Sequence, residues 1–128
     1  MGAERARVVV ALQGALLRAT REFGDEPAFA PHRSRVLATA AALDYVLMLA
    51  SGTAGARIPE RETERGIRDG VARGVDDLIA VATTIAGIDT PDARAFARET
   101  ARALGEILRE ERLESDDRRF AVIALANA

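Results

Sequence analysis

An all-α fold, a four- to five-helix bundle with Val36–Ala50 as its central buried helix, follows from three features of this chain. Apolar residues recur at alternating three- and four-residue steps in successive segments. Prolines and small-residue clusters separate those segments at helix-sized intervals. No stretch alternates apolar and polar residues between turn signals, as a half-buried strand would.

The first segment runs from about Ala3 to Phe23. Val9, Leu12, Leu16, Ala19 and Phe23 fall on one stripe, with Arg7, Gly14, Arg18 and Glu22 on the other side. Val10 and Leu17 lie off the stripe, where a further helix would meet them. Gly24-Asp25-Glu26-Pro27 ends the segment, with glycine as the C-terminal cap and a proline that cannot continue it. Pro31 suits the first turn of the next helix.

Val36–Ala50 reads V-L-A-T-A-A-A-L-D-Y-V-L-M-L-A. Apart from Thr39, Asp44 and Tyr45 it is apolar on every side, which predicts a helix walled in by its neighbours or by a second subunit. Ser51 to Ala56 closes it in a small-residue loop.

The third segment begins at Pro59, with Glu60, Glu62 and Glu64 well placed against the helix dipole, and runs to about Ala86. Ile67, Val71, Leu78 and Ile85 form its stripe, with Val75 and Val81 at the edges. Gly66, Gly70 and Gly74 lie beside that stripe at four-residue intervals, and each costs roughly 1 kcal/mol relative to alanine in a helix interior. A close helix crossing would account for them. A break near Gly70, splitting 58–87 in two, is the rival reading.

Thr90-Pro91-Asp92 is an N-cap, a first-turn proline and an acid, opening a helix to about Leu113 that buries Phe96, Thr100, Leu104, Ile107 and Leu108. Ser115-Asp116-Asp117 caps a last helix through Phe120, Val122, Ile123 and Leu125, apolar nearly all round and expected to dock on the bundle or a partner. Short connectors favour antiparallel neighbours.

Composition sets further limits. The 128 residues make one helical domain, 1–128, able to bury roughly two thirds of its unfolded surface. With no cysteine there are no disulfides, zinc thiolates or cysteine nucleophiles, which suits a cytoplasmic protein. A net charge of −2 gives no field toward nucleic acid or anionic membrane. The opening residues carry no secretory signal. Val36–Ala50 is shorter than the about 20 apolar residues a bilayer needs, and Asp44 interrupts it. A soluble protein with no membrane role is the expectation.

Chemistry is sparse. Asp44 must be paired, hydrogen-bonded, protonated or set at a solvent-reached cleft if its helix is buried. The plainer expectation is a structural carboxylate paired with an arginine of a neighbouring helix. The functional alternative is a ligand-binding or general-base pocket at Asp44 and Tyr45, with Thr39 nearby. His32 is the single histidine and reads as a first-turn polar residue; a triad with Ser34 or Ser51 lacks any nucleophile-elbow pattern. One histidine cannot furnish the paired Glu-x-x-His motifs of a di-iron bundle. Asp77, beside the glycine line, is the more interesting member of Asp76-Asp77, yet paired inward acids for Mg²⁺ are missing. The loop Ser51 to Arg57 lacks the ending of a P-loop.

Arginines at 57, 61, 65, 68 and 73 alternate with Glu60, Glu62, Glu64 and Asp69, and Glu64–Arg68 stands as an i,i+4 pair, so a salt-bridged solvent face is expected instead of a phosphate track. No catalytic set, metal centre or cofactor is assigned, and nucleic acid is not an expected partner. The sequence points first to a non-enzymatic helical interaction or regulatory protein, a homodimer or a binder of a protein partner through apolar helix faces. The alternative is a small-molecule-binding or catalytic bundle holding a small apolar ligand at Asp44/Tyr45.

Overall fold

The computed structural model of the chain describes residues 2–52 and 58–128, with side chains from Glu4 onward. These residues form α1 (Gly2–Phe23), a 3₁₀ turn (Pro27–His32), α2 (Arg33–Ser51), α3 (Glu60–Ala86), α4 (Pro91–Glu110) and α5 (Asp116–Ala126), packed as a helical bundle without a strand among the described residues.

Local chemistry explains most of the boundaries. Thr90 accepts a hydrogen bond from the Ala93 backbone N–H at 3.1 Å, and Ser115 accepts one from the Arg118 N–H at 3.2 Å, so both N-caps fill donors the helix cannot. Gly52 ends α2 at φ 76°, a left-handed conformation that glycine adopts without steric cost. Pro31 lies in the 3₁₀ turn, so α2 begins two residues later than a first-turn proline would imply. α3 is one continuous helix of 27 residues, unbroken at Gly70.

The core is the set of stripes that the periodicity picked out. Val9, Leu12, Leu16, Ala19 and Phe23 of α1 are buried, as are Ile67, Val71, Val75, Leu78, Val81 and Ile85 of α3 and Phe96, Thr100, Leu104, Ile107 and Leu108 of α4. Phe23 meets Phe96 edge-to-face, ring centroids 5.5 Å apart, and the Arg18 guanidinium lies 5.3 Å from the Phe96 ring centre. Asp76 and Arg118 clamp α3 to α5 through two 2.9 Å hydrogen bonds. That bonding raises the Arg118 pKa, with burial opposing it, so the arginine's contribution persists below its unfolded pKa and is lost only in strong alkali.

The centre of the bundle is α3, not Val36–Ala50. α3 packs against α1, α2, α4, α5 and the 3₁₀ turn, whereas α2 packs on α1, α3 and the turn. Val36, Thr39, Ala40, Leu43, Val46, Leu49 and Ala50 of α2 are buried, but Leu37, Ala38, Ala41, Asp44, Tyr45 and Met48 face outward. Alanine explains part of the difference. It is apolar in a pattern but loses little when exposed, and it is the best helix former, so Ala38 and Ala41 serve helix formation without needing cover. α5 likewise docks mainly through Leu125, leaving Phe120 69% and Ile123 57% exposed.

The glycine row is where α2 and α3 come together. A Cβ on Gly66 would lie 2.9 Å from Leu49 Cδ1, and one on Gly70 only 2.3 Å from Val46 Cγ2. At Gly74 it would meet Leu12 at 3.3 Å and Leu43 at 3.5 Å. Val46 is β-branched and stiff, so it cannot swing aside. Gly70→Ala gains about 1 kcal/mol of helix propensity but forces overpacking that costs about 1–3 kcal/mol. With a 2.3 Å approach the overpacking wins. Urea denaturation should show a net loss of up to about 2 kcal/mol for Gly70→Ala, and a more stable variant would contradict this packing.

Candidate functional site: the outer face of the first two helices

α1 and α2 run antiparallel. Near their middles the Gln13 side chain donates to the Ala40 carbonyl at 2.8 Å and to Asp44 Oδ1 at 2.6 Å. At one end Arg33, opening α2, donates to the Gly24 carbonyl just past α1. Gln13 and Asp44 therefore mark the outer seam of the pair. On α1, Val10, Gly14 and Leu17 lie one helical step to the side of Gln13; on α2, Leu37, Ala41, Tyr45 and Met48 share the side of Asp44. Antiparallel register sets Val10 toward the Tyr45–Met48 end and Leu17 toward Leu37 and Ala38.

The five large apolar residues of this face, Val10, Leu17, Leu37, Tyr45 and Met48, are each between 43% and 53% exposed. Arg7 and Arg21 continue the α1 row at its two ends, so apart from Asp44 on the seam the charges of this face lie at its margin. A Cβ added to Gly14 would meet nothing within 4 Å. A mid-helix glycine normally costs about 1 kcal/mol against alanine, and no contact in this chain requires it. Val10 and Leu17, whose place off the core stripe suggested a contact with a further helix, are instead about half exposed.

Asp44 is exposed, held by Gln13 and by no arginine among the described residues. Tyr45 is exposed beside it. Thr39 is on the opposite side of α2, buried, and its hydroxyl donates to Asp77 Oδ2. The three residues grouped by sequence therefore do not converge. Open clefts of about 510 Å³ between α1 and α4 and about 470 Å³ at the start of α3 are found among the described residues, and neither of these is lined by Asp44, Tyr45 or Thr39.

The buried carboxylate of the α2–α3 contact is Asp77. Besides Thr39 it has Arg35 Nε at 3.0 Å and Arg73 Nε at 3.9 Å, both on arginines that reach to solvent. Two turns further along α3, His32 Nε2 lies 2.8 Å from the Thr84 hydroxyl. His32, Arg35 and Thr39 thus pair in order with Thr84 and Asp77 along one helix seam. The signal was present in the sequence: extending the row Gly66, Gly70, Gly74 by three residues arrives at Asp77. Every polar side-chain atom buried among the described residues has a partner, so the seam is satisfied and rigid.

The expected Glu64–Arg68 pair does not form. Glu64 instead accepts from Arg5 Nη1 of α1 at 2.6 Å. The region 53–57, with most of the small-residue loop and Arg57, lies outside the described residues. Among the described residues no group of three His, Cys, Asp or Glu side chains is arranged to hold a metal ion. Within Pro27–Ser51 an 18-residue window reaches a mean hydropathy of 1.3, enough by length and composition alone to pass as a membrane-crossing helix, a test that the core helix of a soluble protein also passes. The apolarity of this stretch divides between a core side and the outer face. Comparison with protein-family models, with curated proteins and with solved structures finds no match.

The two sides of α2 should respond differently to substitution. At submicromolar concentration, Tyr45→Ser should change the free energy of unfolding by less than about 0.5 kcal/mol, as an uncovered surface position does. Thr39→Val, which strips Asp77 of a buried donor, should cost about 1–3 kcal/mol. Equal losses for both would mean that the face is not open in the isolated chain.

Proposed function

We propose that this protein is a non-enzymatic helical interaction module that works as a homodimer, with the outer face of α1 and α2 as its contact. The observation that carries the reading is the row of half-exposed Val10, Leu17, Leu37, Tyr45 and Met48 on one side of two packed helices. Two such helix pairs brought together make an intermolecular four-helix bundle, and a two-fold pairing lets the same patch cover itself.

The size of the face is compatible with that partner. The 19 residues of α2 extend over about 28 Å, and two helices side by side are about 20 Å across. Pairing would remove on the order of 1,100 Å² of surface in total, just above the roughly 1,000 Å² minimum for a specific interface and below the roughly 1,200–2,000 Å² of stable ones. The affinity should accordingly be modest. A second copy is favoured over a charged partner because the centre of the patch offers one carboxylate, Asp44, already engaged by Gln13, and no basic residue. Arg7 and Arg21 lie at the margin, where an interface places its solvated groups. Gly14 has a use in this arrangement, as a flat point where the facing helix approaches.

Sedimentation equilibrium should find a monomer–dimer mixture with a micromolar Kd. Leu37→Arg combined with Tyr45→Glu should give a monomer whose helical circular dichroism is unchanged, while Phe120→Arg on α5 leaves the dimer intact. A chain that stays monomeric at several hundred micromolar would overturn the proposal. So would association with lipid vesicles through this face without any dimer in solution.

A further inference from the structure

We infer that the cleft at the start of α3 is a binding site for a small polyphosphate-bearing molecule, gripped by Arg61, Arg65, Arg68 and Arg112. The site lies at a different part of the bundle from the proposed dimer face. Arg61, Arg65 and Arg68 follow at four- and three-residue steps, so they form one row along α3, about 10 Å from first to last. Arg112 comes to the same cleft from the turn after α4, and the volume of about 470 Å³ is within the range of small-ligand sites.

The electrostatic balance follows from where the acids go. Alternating charge along the sequence would neutralise the row if Glu64 paired with Arg68. Arg5 instead takes Glu64 at 2.6 Å and Glu111 at 3.2 Å, removing both carboxylates into a triad on the wall of the cleft. Asp69 is the remaining acid there. None of the four gripping guanidinium groups has a hydrogen bond or ion pair with a described residue. Five arginines against three carboxylates leave the cleft with two positive charges in excess, in a protein whose total is −2. Guanidinium forks match phosphate oxygens two at a time, and a row of them suits linked phosphates better than a lone one.

Arg112 supplies a second observation. It is the one described non-glycine residue with a positive φ, 55°. It closes α4 through hydrogen bonds from its own N–H to Arg109 O at 3.3 Å and from Leu113 N–H to Leu108 O at 2.9 Å, the arrangement in which glycine ordinarily sits. A long charged side chain on this backbone is strained where glycine would not be. The cap of α4 sets this backbone, and no described residue takes the guanidinium, which leaves the side chain to the cleft.

Inorganic triphosphate titrated into the full chain, followed by calorimetry in 50 mM and 200 mM salt, tests the assignment. Saturable binding that weakens with salt is expected. Arg65→Gln with Arg68→Gln should lower the affinity at least tenfold with the Tm unchanged. Arg112→Gly should weaken binding several-fold while the Tm stays level or rises, which separates a ligand role from a structural one. Three results would overturn the proposal: no binding at millimolar triphosphate, equal binding by the double variant, or Arg112→Gly that binds normally. A single-stranded oligonucleotide that binds through the same arginines far more tightly than triphosphate would also overturn it, replacing the small ligand with nucleic acid.

Discussion

The contact on which the rest of this bundle depends is the seating of α2 on the glycine row of α3. With Val46 against Gly70 and Leu49 against Gly66, the two helices lie closer than any larger residue would allow. The same seam continues through Thr39 on Asp77 and His32 on Thr84. Apolar contact brings the helices together, while the buried hydroxyl–carboxylate pair fixes their register, because a slip along the seam would strand Asp77 in the core. Once that side of α2 is committed inward, no described element covers its opposite side.

Two consequences follow for the remaining helices. α1 can fill the groove beside α2 with Leu12 and Leu16, which leaves Val10, Gly14 and Leu17 continuing the uncovered side. α4 and α5 then close the far side of α3, with Phe96 against Phe23 and Arg118 against Asp76. Arg5 bridges the N-terminal part of α1 to α3 and to Glu111 after α4, and in doing so takes the acids that would otherwise quench the arginine row. The apolar face and the arginine cleft are both products of how the core was assembled, one by default and one by the diversion of two carboxylates.

Much of the fold is legible in the sequence because periodicity reports burial directly. The stripes of α1, α3 and α4 are buried residue for residue, and Thr90 and Ser115 cap the helices they precede. What misleads is Val36–Ala50. Apolar character on all sides reads as enclosure, yet alanine satisfies the pattern without demanding burial, and Leu37, Tyr45 and Met48 face out. Asp44 and Asp77 exchange roles for a related reason. Local surroundings make Asp44 look buried, whereas the depth of a side chain is decided by which helix lies opposite, and the glycine row puts Asp77 there. Pairing between charges distant in sequence, such as Arg5 with Glu64, is the least legible of all. Spacing within one helix offers Arg68 as the nearer partner, and only packing brings Arg5 into place.

A double-mutant cycle on Val46 and Gly70 tests most directly whether this seam governs the bundle. Unfolding free energies would be measured for the parent chain, Gly70→Ala, Val46→Ala and the pair. If the helices meet as described, removing the Val46 branches makes room for the new methyl, and the pair should be more stable than the sum of single losses by at least about 1 kcal/mol. Strictly additive losses would mean that Val46 and Gly70 do not touch, and the inward side of α2 would have to be placed elsewhere.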